Sequence, residues 1–314
     1  MMPTVRIADI RSGETMAFPQ EGVMTVDDLA IARARRSLEG LSLGDAFGQL
    51  HFKFHPRVSP ADPLPPGPWR WTDDTHMALS IVETLAGLGR IEQDPLVRAF
   101  ARRFAQEPNR GYGPGAARLL TAVVAGADWR IEAAKLFGEG SYGNGAAMRA
   151  APIGAFFHRD TVRAASEARL SALVTHAHPE GVAGAVAVAV AAALSSCADH
   201  PAGEDFIAEV AAFIPDGETH DRLRQAMGIP ANRLDQAISQ LGTGYQVSAQ
   251  DTVPYCLWVA AHHLDDFEAA LWSTVAGKGD CDTTCAIVGG IVAMSAREMP
   301  ASWLARREAF PKIQ

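Results

Sequence analysis

The sequence predicts an all-α fold, a single-domain orthogonal helical bundle, on three observations. From Asp27 onward apolar residues recur at spacings of three, four and seven, the period of a buried helix face. No stretch alternates apolar and polar residues with β-branched enrichment, so few or no strands are expected. The segment most hostile to both ladders, residues 55 to 70 with six prolines, reads as a loop.

The elements follow in order. Residues 1–26, with Gly13, Pro19 and Gly22, show no helical period and read as an N-terminal extension to a domain spanning 27–314. The first helix carries Ile31, Leu38 and Leu41 and ends at Gly44-Asp45-Ala46-Phe47-Gly48. Beyond the proline-rich loop a helix starts at Thr72, with Met77, Ile81, Leu85 and Leu88 on one face. Helical stretches are then expected near 95–106, 114–125, 129–137, 145–157, 161–176, 181–197, 203–213, 219–227, 231–240, 252–263, 266–276, 283–298 and 300–306. The longest uncharged run, Val182 to Cys197, is alanine-rich and shorter than the roughly 20 residues a membrane span needs. It reads as a helix buried on all sides, and no membrane association is expected.

Bulk composition narrows the function. With 48% hydrophobic and 20% charged residues, the 314-residue chain has ample material for a core. A net charge of −8 and the lack of a basic patch argue against a nucleic-acid surface. A phosphate-bearing ligand would have to be met locally, by backbone amides, helix N-termini or bound cations. Cys197, Cys256, Cys281 and Cys285 form no Cys-x-x-Cys pair, which suits a reduced cytosol, so a cytoplasmic protein is expected. The first residues lack the apolar core of a signal peptide. Zinc through Cys281 and Cys285 is disfavoured because no histidine pair at ligand spacing accompanies them.

Two acidic clusters carry the most chemical information: Thr72-Asp73-Asp74-Thr75 and Asp280-Cys281-Asp282-Thr283-Thr284. Each places hydroxyls beside two carboxylates at the start of an apolar helical run. Either cluster alone is compatible with a capping threonine and first-turn aspartates that complement the helix dipole. Two clusters of one design point further, to four carboxylates meeting at one place. Such a set repels itself unless hard cations intervene, and oxygen ligands select magnesium, manganese or calcium. Paired divalent ions position a water and a substrate oxygen for hydrolysis.

Two glycine loops precede helices. Gly138-Glu139-Gly140-Ser141-Tyr142-Gly143-Asn144-Gly145 runs into Ala146-Ala147-Met148-Arg149, with more glycine than an ordinary turn requires. Close backbone approach and a helix start behind it suit a diphosphate, and Tyr142 or Phe137 can stack on a base. Arg110-Gly111-Tyr112-Gly113-Pro114-Gly115 is a weaker signal, since proline at a helix start is ordinary. In Thr175-His176-Ala177-His178-Pro179-Glu180-Gly181, a histidine bonding a ribose hydroxyl or a helix end is favoured over a metal ligand.

Taken in order, these motifs resemble the ADP-ribosylglycohydrolase family, which includes hydrolases that remove ADP-ribose from arginine or serine and the dinitrogenase reductase-activating glycohydrolase. The matching residues are Gly44-Asp45-Ala46-Phe47-Gly48, Trp71-Thr72-Asp73-Asp74-Thr75, the Ser141–Arg149 loop, Thr175-His176 and Gly279-Asp280-Cys281-Asp282-Thr283, over residues 30 to 305. The two glycine loops look most like the branch that cleaves ADP-ribose from serine and from poly(ADP-ribose). The resemblance implies an all-α monomer with a di-metal cleft at helix N-termini, holding two Mg2+ or Mn2+. Thr72, Asp73, Asp74, Asp280, Asp282 and Thr283 would be the metal ligands, with Asp73, Asp74 and Asp282 catalytic. Gly140, Ser141, Tyr142, Gly143, Asn144, Gly145, Met148, His176, Gly111 and Gly113 would contact the substrate, and Phe137 with Tyr142 would sandwich the adenine.

One position departs from the family pattern. Members acting on protein-linked ADP-ribose usually carry a glutamate a few residues after Gly-Asp-x-x-Gly. Here that stretch reads Gln49-Leu50-His51-Phe52-Lys53-Phe54, and the aligned residue is Phe52. Proton transfer would then fall to a metal aspartate or Glu180, or the substrate differs, or activity is lost. The expected function is hydrolysis at C1″ of ADP-ribose, released from a modified protein or small molecule. A non-catalytic ADP-ribose binder and a di-metal nucleotide phosphohydrolase are the alternatives. The leaving group stays open.

Overall fold

The chain folds into helices joined by short connections, in a computed structural model that describes residues 26–52 and 59–311. Residues 1–25 of the N-terminal extension and residues 53–58, which include Lys53 and Phe54, lie outside the described residues, and Val26 opens α1. In chain order the helices are α1 (Val26–Gln49), α2 (Asp73–Leu88), α3 (Gln93–Gln106), α4 (Pro114–Val124), α5 (Trp129–Lys135), α6 (Ala151–Phe156), α7 (Thr161–Leu173) and α8 (Pro179–Ser195). They continue with α9 (Gly203–Ala211), α10 (Glu218–Met227), α11 (Leu234–Leu241), α12 (Ala249–His262), α13 (Phe267–Val275), α14 (Cys281–Val292) and α15 (Ala301–Leu304). Among the described residues no strand forms; pairing is limited to the isolated bridges Trp69–Arg307 and Gly143–Ser248.

Helix α8 is the axis of the core. Every residue from Gly181 to Ser195 is buried, as an uncharged surface made mostly of alanine and valine predicts. Small side chains let neighbours come close: a Cβ at Gly154 of α6 would collide with the carbonyl oxygen of Ala189. Helices α6 and α7 pack on one side of α8 and α12 on another, while α12 also meets α14. Helices α9 to α11 lie against α8 and α12, and α3 to α5 extend outward from α2.

The single helix expected over 145–157 is broken in two. Asn144–Ala146 forms one 3-10 turn, and α6 begins only at Ala151. Pro152 has no N–H to give the carbonyl of Met148 and stands in the first turn of α6, where a helix start tolerates proline. The break turns Arg149 into the core, where it is fully buried. The helix expected over 161–176 likewise stops at Leu173, leaving residues 174–178 as a turn before α8. Helix α14 begins at Cys281, two residues before the expected start.

Candidate functional site

A stripe of glycines sets the geometry. Gly40, Gly44 and Gly48 lie four residues apart on α1 and face Gly289, Cys285 and Cys281 of α14. A Cβ at any of the three would run into the carbonyl oxygen opposite, so the helices touch backbone to backbone. This contact brings Asp45, buried on α1, to the starts of α2 and α14.

Asp45 does what a capping threonine was expected to do. Thr72 occupies the N-cap position of α2, yet its hydroxyl makes no capping bond. The Asp45 carboxylate instead accepts from the Thr72 amide at 2.9 Å, the Thr72 hydroxyl at 2.9 Å, the Thr75 amide at 3.1 Å and the Thr75 hydroxyl at 2.5 Å. A carboxylate from another helix thus satisfies the orphan amides of α2 and freezes the first acidic cluster in place. In the second cluster, Asp280 holds the N-cap position without a side-chain cap, and Thr283 falls inside the first turn.

The two clusters and Asp45 share one electrostatic neighbourhood. Burial, then Asp45 and Asp280, push Asp73 up to about 8, with Arg149 pulling the other way. Burial, then Asp45, Asp73, Asp282 and Asp280, hold Asp74 well above the carboxylate range. Burial and Asp280 do the same to Asp282, and burial raises Asp280 and takes Asp45 to about 6. The Thr72 hydroxyl, with one proton, sits 2.9 Å from Asp45 Oδ1 and 2.8 Å from Asp74 Oδ2. The other oxygen of Asp74 is buried with no hydrogen-bond partner.

These observations fit hard cations. An orphaned buried carboxylate oxygen, a hydroxyl shared by two acids and five acids driven toward neutrality are all relieved by positive charge. Among the described residues no three acidic, histidine or cysteine side chains are already drawn into a closed ligand shell. The acids lean on hydroxyls and amides instead.

The larger glycine loop is bonded to this neighbourhood. Asn144 donates its side-chain amide to Asp280 Oδ2 at 2.7 Å and to the Thr252 hydroxyl at 3.1 Å. Gly140 has φ of 90°, and a Cβ there would lie 2.6 Å from the amide of His178, so only glycine lets the loop pass the start of α8. The amides of Gly143 and Asn144 are spent on Ser141 Oγ and the Val247 carbonyl. Those of Ser141 and Tyr142 have no hydrogen-bond partner among the described residues.

His176 underlies the loop, with its ring 3.4 Å from the Cβ position of Gly143 and 3.2 Å from that of Gly145. Burial, reinforced by Arg149, lowers its pKa to about 3, so the ring is neutral. Met148 backs Gly145, and Gly111 of the smaller loop abuts Asp73, while Gly113 caps α4. Tyr142 is half-exposed, edge-on to His178, and Phe137 is 71% exposed beside Gly115.

Sequence reasoning missed two residues and misplaced a third. Asp45 was visible only as part of a motif. Arg149 is a buried cation that bonds the carbonyls of Gly145 and Ser171 and the Thr175 hydroxyl. A lone arginine in an apolar helical run was the available signal. Glu180, considered as a base, is consumed in capping α10: its carboxylate accepts from the Glu218 amide at 2.8 Å and the Thr219 amide at 3.0 Å.

Comparison with known proteins fits this architecture. Residues 26–314 match the model of the ADP-ribosylglycohydrolase family. The chain belongs to the ADP-ribosylglycohydrolase family. It is 29% identical to an uncharacterized protein of Archaeoglobus fulgidus, covering 86% of this chain and 90% of that one. It is 26% identical to human ADP-ribosylhydrolase ARH3, covering 90% of each. A solved structure titled ADP-ribosylglycohydrolase-related protein complex shares the fold, with a TM-score of 0.57, 22% identity and coverage of 89% and 93%. Among the described residues no helix is long and apolar enough to cross a membrane.

Proposed function

We propose that this member of the family is a metal-dependent hydrolase that cleaves the glycosidic bond at C1″ of ADP-ribose, releasing ADP-ribose from a modified protein or small molecule. The observation that carries the reading is the meeting of two hydroxyl–carboxylate clusters beside a glycine loop that is hydrogen-bonded to one of them. A binder without chemistry has no need of five buried acids. Thr72, Asp73, Asp74, Asp280, Asp282 and Thr283 would hold Mg2+ or Mn2+, which would supply positive charge to ribose hydroxyls and lower the pKa of a water.

The chain's own groups do the rest. The Ser141 and Tyr142 amides would hold a phosphate oxygen, and His176, neutral and buried, supports the loop from below. Phe137 and Tyr142 would flank the adenine. Asp73, Asp74 or Asp282 would accept a proton as water attacks an oxocarbenium-like centre. Phe52 has no proton to give, and Glu180 is engaged elsewhere.

Incubation with ADP-ribosylated protein, with separate detection of free ADP-ribose, AMP and intact conjugate, tests the reading. Metal-dependent release of free ADP-ribose, lost in Asp282→Asn, is expected. AMP would indicate phosphohydrolysis, and an intact conjugate bound by the protein would indicate a non-catalytic binder.

A further inference from the structure

Away from the acidic site lies a cavity of about 240 Å³ between the start of α1, the end of α2 and the α6–α7 corner. Arg33, Arg159, Arg163 and His158 line it, against a single acid, Asp160. Asp160 is committed to capping α7 through the Arg163 amide at 2.9 Å. In a chain of net charge −8, so local an excess of cations is out of character. Helices α1 and α2 run from this cavity to the acidic site. Ala30 and Asp45, 15 residues apart on α1, are therefore about 22 Å apart at 1.5 Å per residue.

The cations are unevenly neutralised. Arg163 reaches Glu167 at 3.4 Å and lies 4.5 Å above the Phe157 ring. No described carboxylate lies within ion-pair distance of Arg33 or Arg159, and Arg33 donates only to the Leu29 carbonyl. The Nδ1 atom of His158 is buried without a hydrogen-bond partner. Burial and then Arg33 and Arg159 lower the His158 pKa, as expected of cations that face one another with no anion between them. The half-buried Phe156 ring, edge-on to Phe157 at 4.8 Å, adds an apolar wall.

We infer that this cavity is a second ligand site, separate from the C1″ site, which takes a small phosphomonoester carrying a flat ring. A phosphate dianion matches two unpaired guanidiniums in charge, and their planar forks match its oxygens. The ring lies along Phe156. A bare carboxylate leaves one guanidinium unbalanced, and a bare phosphate leaves the apolar wall uncovered.

The test is calorimetric titration of phenyl phosphate into the full chain in chloride buffer. Saturable binding is expected, weakened at least about tenfold in the double variant Arg33→Gln/Arg159→Gln, since each lost charge-assisted bond exceeds a tenfold step. Ala30→Trp fills the cavity without touching a charge and should block binding independently. Gly143→Val, in the distant glycine loop, should leave it intact. Circular dichroism melts confirm that each variant is folded. Three results overturn the inference: no saturable binding below about 10 mM, equal affinity in the folded double variant, or Gly143→Val abolishing binding. Inorganic phosphate binding as tightly as phenyl phosphate marks an adventitious anion only and also overturns it.

Discussion

At the scale of single residues, Asp45 is the acid on which the site's geometry depends. It accepts from two amides and two hydroxyls at the start of α2. Asp45→Ala leaves those buried donors unpaired and should lower stability by about 3 kcal/mol, read by chemical denaturation. It should also weaken Mg2+ or Mn2+ binding by calorimetry, because Thr72 and Asp74 lose their fixed positions. Unchanged metal affinity would reduce Asp45 to a helix cap. Phe52 makes a different prediction. It is half-buried in the turn after α1, with its amide 3.4 Å from the Gln49 carbonyl. The wild type should be slow on serine-linked ADP-ribose and faster on substrates whose leaving group needs no proton. Phe52→Glu should gain on the serine-linked substrate, and a vigorous wild type damaged by the change would refute this.

At the scale of elements, the contact of α1 with α14 connects packing to chemistry. The glycines at 40, 44 and 48 face backbone carbonyls, which cannot swing aside as a flexible side chain would. Gly44→Ala or Gly48→Ala must therefore separate the helices, at a cost near or above the roughly 1–3 kcal/mol of ordinary overpacking. The same shift carries Asp45 away from Asp280 and Asp282. Loss of stability and loss of metal affinity should appear together in each variant. A glycine variant that melts lower but binds metal normally would show that the acidic site does not depend on this contact.

At the scale of the whole molecule, pH acts on two sets of groups with opposite sign. The carboxylates are raised when folded, Asp73 to about 8 from 3.8, so without metal their contribution is present at low pH and lost as pH rises through 8. In EDTA the melting temperature should fall between pH 6 and pH 9, and Mg2+ should restore more at pH 8.5 than at pH 6. A metal effect independent of pH would argue against carboxylate ligands. His76 and His176 are lowered, to about 4 and about 3 from 6.5, mainly by burial. Their contribution is complete above about 6.5 and is lost as pH falls through 4 and then 3. Metal-loaded protein should therefore destabilise below pH 6.5, and His176→Gln should flatten that slope. An equally steep slope in the variant would mean that His176 is charged when folded.

Helical period, proline and glycine were enough to read most of the helices to within a few residues, because each is a local property of the chain. The acidic clusters and the glycine loop were legible for the same reason: carboxylates at a helix start and glycines before one announce themselves in a handful of residues. What the sequence by itself determined is therefore the helices and the family. Only the tertiary structure decided how they meet. Asp45 lies 27 residues before Thr72, and nothing in its own neighbourhood says that it caps another helix. Arg149 is buried in the turn ahead of α6 instead of extending the helix expected there. Glu180 was removed from the site by amides 38 and 39 residues away. These pairings depend on which helices approach closely. That depends on small side chains meeting across space, which no window along the chain contains.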